Sequence, residues 1–262
     1  MTDYAALYRE SRERITALVR DASEEQRARV VPSCPKWTVS DTVAHLAAVA
    51  TDVVAGYSTA TISTDEHTAA QVERRRGRSL EEVLAEWDGA AEAIERMIAA
   101  PALPIALIND VLTHEADIRG ALGAGRPPEA AWIATLELGR PRLIERLDHL
   151  GELTILTGEH HFTVGSGEPA TTVEVDLYEF WRSVLGRRSR AQMAAWKWSG
   201  DSEPYLQAIP VFGPTQVDLA EPPFGRNDDN CSPRWFNKQT DHWRGYDTTL
   251  LRDHRTGPFP IL

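Results

Sequence analysis

Cysteine is scarce in this sequence. The 262 residues contain two, Cys34 and Cys231, far apart and in differently composed regions. That excludes a disulfide framework, and it offers neither a CxxC redox pair nor the paired thiols of a zinc ribbon. Any sulfur chemistry must therefore be supplied by a ligand. Basic residues are also in deficit, 28 Lys and Arg against 39 Asp and Glu, for a net charge of −11. Phosphate recognition draws its affinity from clustered cations, so a nucleic-acid binder is excluded. Long apolar runs are missing too: no stretch approaches the roughly 20 residues of a membrane span. The opening MTDYAALYRE has no basic segment followed by an apolar one. The expectation is a cytoplasmic protein without a membrane partner.

What is present is ordinary for a globular chain, 42% hydrophobic and 26% charged residues. The length falls between one large domain and two modest ones, and two are expected. From residue 3 to about 150 the periodicity is helical. Tyr4, Leu7, Ile15, Leu18 and Val19 mark a first amphipathic helix. Val30 to Trp37, with Pro32 and Pro35, reads as a loop. Thr38 and Asp41 form a capping box with Asp in place of Glu, so a second helix should start there and carry His45 on its second turn. Residues 63–78 are polar and end in the basic run Arg74, Arg75, Arg76 and Arg78, read as a solvated loop or, functionally, as a lid over an acidic substrate. A third helix follows from Leu80, and Pro101 and Pro104 bound a break. A fourth helix spans Ile105 to about Leu122. Another helical stretch after Pro128 should be kinked or split at Gly139 and Pro141.

At Gly151 the period changes. Leu153 to Leu156, His161 to Val164 and Thr171 to Val175 read as a small antiparallel sheet, Leu177 to Val184 as a helix ended by Gly186, and Ser189 to Trp198 as another. From Pro222 the chain is poor in aliphatics and reads as a coil-like arm. The expected organisation is α+β: a helical unit over 1–150, a small α/β unit over 151–221 and an irregular arm over 222–262.

One constellation carries chemistry. Asp110, His114 and Asp117 follow at spacings of four and three, which share a helix face. Asp110 and His114 stand one turn apart, near enough to reach one ion. A third ligand must come from another helix, and His45 lies on one with a small apolar surface. Two imidazoles and a carboxylate suit Zn²⁺ or another divalent ion and leave a coordination position open, as catalytic sites do. Cys34 sits beside Pro35 in a loop with no His near it in sequence, which argues against a nucleophile; Trp37 is read as a plug at the helix entrance, and His160 and His161 as surface. Gly165-Ser-Gly-Glu is neither a phosphate loop nor a serine-hydrolase elbow.

The segment Val31-Pro-Ser-Cys-Pro-Lys-Trp-Thr-Val-Ser-Asp-Thr-Val-Ala-His45-Leu resembles the first signature of the mycothiol-dependent maleylpyruvate isomerase family, within the DinB-like superfamily. Asp110-x-x-x-His114-x-x-Asp117-Ile-Arg119-x-Ala-Leu-Gly123 is similar to its second motif. Phe180-Trp-Arg182-Ser-Val-Leu-Gly186-Arg187-Arg-Ser-Arg190 with Trp198-Ser-Gly-Asp201 is similar to its C-terminal domain. The resemblance covers about residues 4–221. It implies a DinB-type up-down four-helix bundle, a smaller sterol-carrier-like α/β domain, and a metal held by His45, Asp110 and His114. It further implies mycothiol as the thiol, with Asp117 and Arg119 on the cofactor side, orienting a ligand or pairing structurally. Arg187 would be a catalytic clamp on substrate carboxylates, a role suited to its bidentate fork. The family has Glu where this chain has Asp110.

The expected enzyme adds a metal-activated thiolate to a small electrophilic, acidic substrate, as an isomerase or an S-transferase. Its partners would be that substrate and a low-molecular-weight thiol, and the chain would be a monomer or homodimer. The alternative is a non-catalytic metal- or ligand-binding protein on the same bundle.

Overall fold

The computed structural model describes residues 2–100, 105–158, 160–165 and 167–219. The arm over 222–262, with Cys231, and the break at Pro101 and Pro104 lie outside the described residues.

The chain opens with α1 (Tyr4–Asp21), started by Asp3, whose carboxylate accepts the Ala6 N–H. A single turn, α2 (Glu24–Arg27), leads to a two-stranded antiparallel ribbon, β1 (Val30–Val31) and β2 (Cys34–Thr38). This ribbon stands where a loop was expected, its two prolines lying in or beside a short pair with few ladder bonds to lose. Thr38 then caps α3 (Val39–Val54), with Thr38 and Asp41 exchanging both bonds of the expected capping box.

After α4 (Thr59–Ile62) and α5 (Asp65–Glu73) comes α6 (Leu80–Ala99), capped by the Ser79–Glu82 box. The basic run before it keeps Arg74, Arg76 and Arg78 exposed, as a solvated loop would, with Arg75 half-buried, but it is also tied to the bundle. Arg75 and Arg78 pair with Glu86 on α6, and Arg76 pairs with Asp41 on α3. The partners lie up to 35 residues away, which is why spacing alone did not reveal them.

Helix α7 (Ile105–Leu122) runs as expected, and α8 (Glu129–Leu147) continues through Pro141 as one helix. The missing Pro141 N–H costs a hydrogen bond. Burial of Trp132 near one end of α8 and of Leu143 and Leu147 near the other offsets that cost. Helices α1, α3, α6 and α7 surround one apolar core containing Ile15, Val43, Trp87, Ile94, Ile108 and Leu112. Each such fully buried side chain contributes about 1.5–3 kcal/mol relative to exposure.

A 3₁₀ turn over Asp148–Leu150 leads to β3 (Glu152–Thr157), β4 (His160–Val164) and β5 (Pro169–Glu174). Then follow α9 (Leu177–Val184), α10 (Arg190–Ala194), β6 (Lys197–Trp198) and α11 (Glu203–Ala208). The sheet order is β4-β3-β5-β6. It is mixed rather than antiparallel, because β5 pairs with β3 in parallel on the side away from β4. The chain makes that crossing over the start of β3, where Gly165 passes so close that a Cβ on it would lie 2.4 Å from the Gly151 carbonyl oxygen. The helix expected over Ser189 to Trp198 is only α10. Its end gives way to β6, where Trp198 pairs with Val173 and stacks on Tyr205.

The sheet packs on Leu143 and Leu147 of α8 and on Phe180 of α9. A third cluster, Ala116, Trp132, Tyr178, Trp181 and Leu185, joins α7, α8 and α9. Among the described residues no helix is long and apolar enough to cross a membrane.

Candidate metal centre

Helix α7 carries an unusual load of polar side chains in the interior: Thr113, His114, Glu115 and Asp117 are all buried. Burying such groups is costly unless each finds a partner, and they divide into two sets. Glu115, 0% exposed, turns toward α1. It accepts Ser11 Oγ at 2.7 Å, both Nε and Nη2 of Arg14 at 2.7 and 2.8 Å, and Arg119 Nε at 3.0 Å. Arg119 spends its Nη1 on the Ala124 carbonyl, so the structure brings it to Glu115 rather than to His114.

The other set forms the site. Asp110 and His114, one turn apart on α7, meet His45 from α3. Asp110 Oδ1 lies 3.5 Å from the Nε2 atoms of both histidines. His45 and His114 are 3% and 6% exposed, and their rings stand edge-on at 5.2 Å. One donor atom from each of the three residues falls within 4.8 Å of the others. A 3.5 Å separation is too long for a good hydrogen bond. It matches the edge of a tetrahedron, about 3.4 Å, expected between ligand atoms that each lie about 2.1 Å from a zinc ion. The Nδ1 of His45 is buried and has no hydrogen-bond partner among the described residues. These spacings and donor types fit a single divalent ion.

His114 is oriented from behind. Its Nδ1 lies 3.1 Å from Asp117 Oδ2, the arrangement in which a carboxylate fixes the tautomer and aims the other nitrogen at a metal. Asp117 is itself gripped by two guanidinium groups from the C-terminal segment. Arg182 Nη2 donates to Oδ1 at 2.7 Å, and Arg187 Nη2 donates to Oδ2 at 3.0 Å. Local sequence explains how they arrive. Asp176 caps α9, Tyr178 and Trp181 anchor it against Trp132 of α8, and Arg182 follows Trp181 into the interior. Gly186, at φ +71°, ends the helix in a left-handed turn and lets the Arg187 N–H return to the Arg182 carbonyl. Arg187 Nη1 donates to the Leu185 carbonyl.

The charges are coupled. Burial would lower the His114 pKa, but hydrogen bonds to Asp117 and Cys34 and the charge of Asp110 outweigh it and hold that pKa up at about 10 before any ion binds. Burial would raise Asp117, yet Arg187, Arg182 and His114 keep its carboxylate well below the usual range. Asp110 is likewise lowered, its burial outweighed by His45, His114 and Arg187.

Three contributors escaped the sequence reading. Trp37 is a half-buried wall of the site rather than a plug, its ring 4.8 Å from His45 and 6.0 Å from His114. Cys34 reaches to 3.9 Å from Asp117 Oδ2 and forms a second donor group with His114 and Asp117. Two guanidinium groups already neutralise Asp117, which disfavours a second cation there. Arg182 is the third. The cue for Cys34 and Trp37 was their membership in one motif with His45. For Arg182 it was an arginine beside a tryptophan on a short apolar helix.

Residues 8–103 match the family described as the mycothiol maleylpyruvate isomerase N-terminal domain. No curated protein matches the chain significantly. Among solved structures, a histidine-to-alanine mutant of the mycothiol-dependent maleylpyruvate isomerase is 12% identical, with a TM-score of 0.47. A second structure of that isomerase is 13% identical, with a TM-score of 0.42. Both alignments cover 85% of this chain and 97% of the other.

Proposed function

Residues 8–103 belong to the mycothiol maleylpyruvate isomerase N-terminal domain family, and from that premise we propose a metal-dependent enzyme that uses mycothiol as thiol cofactor or cosubstrate. The observation that carries the metal is the convergence of His45, Asp110 and His114 at tetrahedral-edge spacing, with His114 oriented by Asp117. In this reading α1, α3, α6 and α7 are a DinB-type bundle over 1–150, and 151–221 is a smaller sterol-carrier-like unit. The setting is cytoplasmic.

His45, Asp110 and His114 would hold the ion, which is taken to be zinc. When bound, the ion lowers the pKa of a thiol that contacts it, so that a thiolate is available near neutral pH. The chain's own residues do the remaining work. Asp117 holds the Nδ1 proton of His114 and so aims Nε2 at the site, where an ion would bind in place of the Nε2 proton. Trp37 walls the pocket and limits water. Arg187 is partly exposed and retains N–H groups beyond its bonds to Asp117 and Leu185, so it is assigned to a substrate carboxylate. Arg119 is assigned to closing the C-terminal end of α7 through Glu115 and the Ala124 carbonyl. An acidic, electrophilic double bond fits this arrangement. In the isomerase reading, addition of the thiol would free the bond to rotate and its loss would restore the double bond. In the transferase reading the thiol would displace a leaving group or open an epoxide and stay attached.

Metal analysis of the purified protein is the first test, with about one ion per chain expected and none in His45→Ala. Mycothiol should then raise the melting temperature of the metal-loaded protein and leave that of His45→Ala unchanged. Absence of stoichiometric metal sinks the reading. Metal without a mycothiol response leaves a binding protein. Conversion of maleylpyruvate to its trans isomer, followed with mycothiol present, separates isomerase from transferase.

A further inference from the structure

Asp117 has more than it needs to stay charged. Arg187 approaches both of its oxygens, Nη2 at 3.0 Å from Oδ2 and Nε at 3.5 Å from Oδ1, from the partly exposed side. Arg182 adds a second guanidinium from the interior. It is 1% exposed, pairs with Oδ1 at 2.7 Å, and has its guanidinium carbon 5.8 Å from the Trp181 ring centroid. Taking a guanidinium out of water is expensive, and a counter-charge alone does not explain doing it twice for one carboxylate. Geometry does. At 3.5 Å the Arg187 Nε contact to Oδ1 is weak, so a carboxylate held by Arg187 alone is fixed mainly at Oδ2 and can pivot about its Cβ–Cγ bond. Oδ2 is the atom that His114 uses, so a pivot there turns the imidazole. Pinning Oδ1 from the opposite side removes that freedom.

We propose that Arg182 is a positioning residue of the metal centre, holding Asp117 so that helix α9, and not the bundle alone, sets how His114 grips the ion. The inference rests on the metal reading above. It makes the C-terminal unit part of the ligand geometry without lending a ligand. It also gives a function to the cluster of Trp132, Tyr178 and Trp181, which fixes α9 against α7 and α8.

The full-length protein loaded with Co²⁺ provides the test, because its visible d–d bands report ligand geometry independently of turnover. Arg182→Gln should shift those bands and weaken Co²⁺ binding by about 10- to 100-fold, the usual cost of losing a group that orients a ligand. Arg182→Lys, which keeps the charge without the fork, should recover part of the affinity. In an Asp117→Asn background, Arg182→Gln should cost almost nothing further, since the group it acts through is gone.

The inference is overturned if folded Arg182→Gln keeps wild-type bands and affinity, or if its loss adds in full to that of Asp117→Asn. Should circular dichroism show that Arg182→Gln does not fold, Arg182→Lys carries the same two readouts. Wild-type binding that His45→Ala abolishes, with Arg182 variants unaffected, refutes this inference alone. Binding that His45→Ala does not change refutes the metal reading and this inference together.

Discussion

Glu115 and Asp117 are two buried carboxylates on one helix, and the structure gives them different duties. Consider Glu115→Gln. The carboxylate accepts four hydrogen bonds, from Ser11, twice from Arg14, and from Arg119. The isosteric amide keeps one acceptor oxygen and turns an NH₂ toward guanidinium donors. Breaking a buried ion pair from one side costs about 3–5 kcal/mol, because cations are left facing a group that cannot neutralise them. Arg14 and Arg119 are partly exposed and can reach water, which favours the lower end. Against a total stability of about 5–15 kcal/mol, a loss of about 3 kcal/mol is large. At roughly 2–4 °C per kcal/mol for a chain of this size, the melting temperature should fall by about 6–12 °C.

The assay is urea unfolding followed by tryptophan fluorescence, in chelator so that a bound ion does not mask the change. Metal affinity should stay within about threefold of wild type, since the Glu115 side chain faces α1 and its hydrogen bonds go to Ser11, Arg14 and Arg119. A stability loss under about 1 kcal/mol would refute the idea that Glu115 fastens α1 to α7. A metal-affinity loss as large as that of Asp117→Asn would refute the division of labour.

Zinc at about 100 times its Kd should stabilise the wild type by about 2.7 kcal/mol, read as a melting-temperature rise that Asp110→Ala does not show. Tyr8 accepts the Trp87 indole N–H in the core, and burial pushes its pKa up to about 12. Because the folded state favours the neutral phenol, its contribution is complete below pH 10 and lost as pH rises toward 12, up to about 3 kcal/mol. The difference in unfolding free energy between wild type and Tyr8→Phe should shrink over that interval, and a difference independent of pH would refute this. Gly165→Ala should destabilise by at least about 1–3 kcal/mol, since φ is +93° and the added Cβ meets the Gly151 carbonyl oxygen at 2.4 Å. A thermal melt within 2 °C of wild type, about the smallest shift to follow from 1 kcal/mol in a chain of this size, would show that the crossing over β3 relaxes easily.

Legibility in the sequence followed the range of the interaction. Thr38 and Asp41 sit three apart, so their capping box could be read directly, and with it the start of α3 and the placement of His45. Asp110 and His114 were legible as one helix face for the same reason. The β3–β5 pairing was not, because parallel register between segments separated by a hairpin leaves no local pattern. Ser189 to Trp198 had a sound helical start in the Ser189–Gln192 box, but its end was decided by tertiary contacts of Trp198. Arg75 looked like loop charge until Glu86 was beside it. Arg182 acts on a residue 65 positions earlier, and no spacing rule reaches that far.

Helix α8 has a place in all three apolar clusters: Ala131 against the bundle, Trp132 in the aromatic junction, and Leu143 and Leu147 under the sheet. A crossover between related genes at the apparent joint near Gly151 would therefore pair a foreign sheet with the wrong floor. Exchange of the C-terminal unit between relatives should succeed only when the break falls in the Gly123–Pro128 connection, so that α8 travels with the sheet it supports. The unit of inheritance would then begin about two dozen residues before the unit suggested by periodicity.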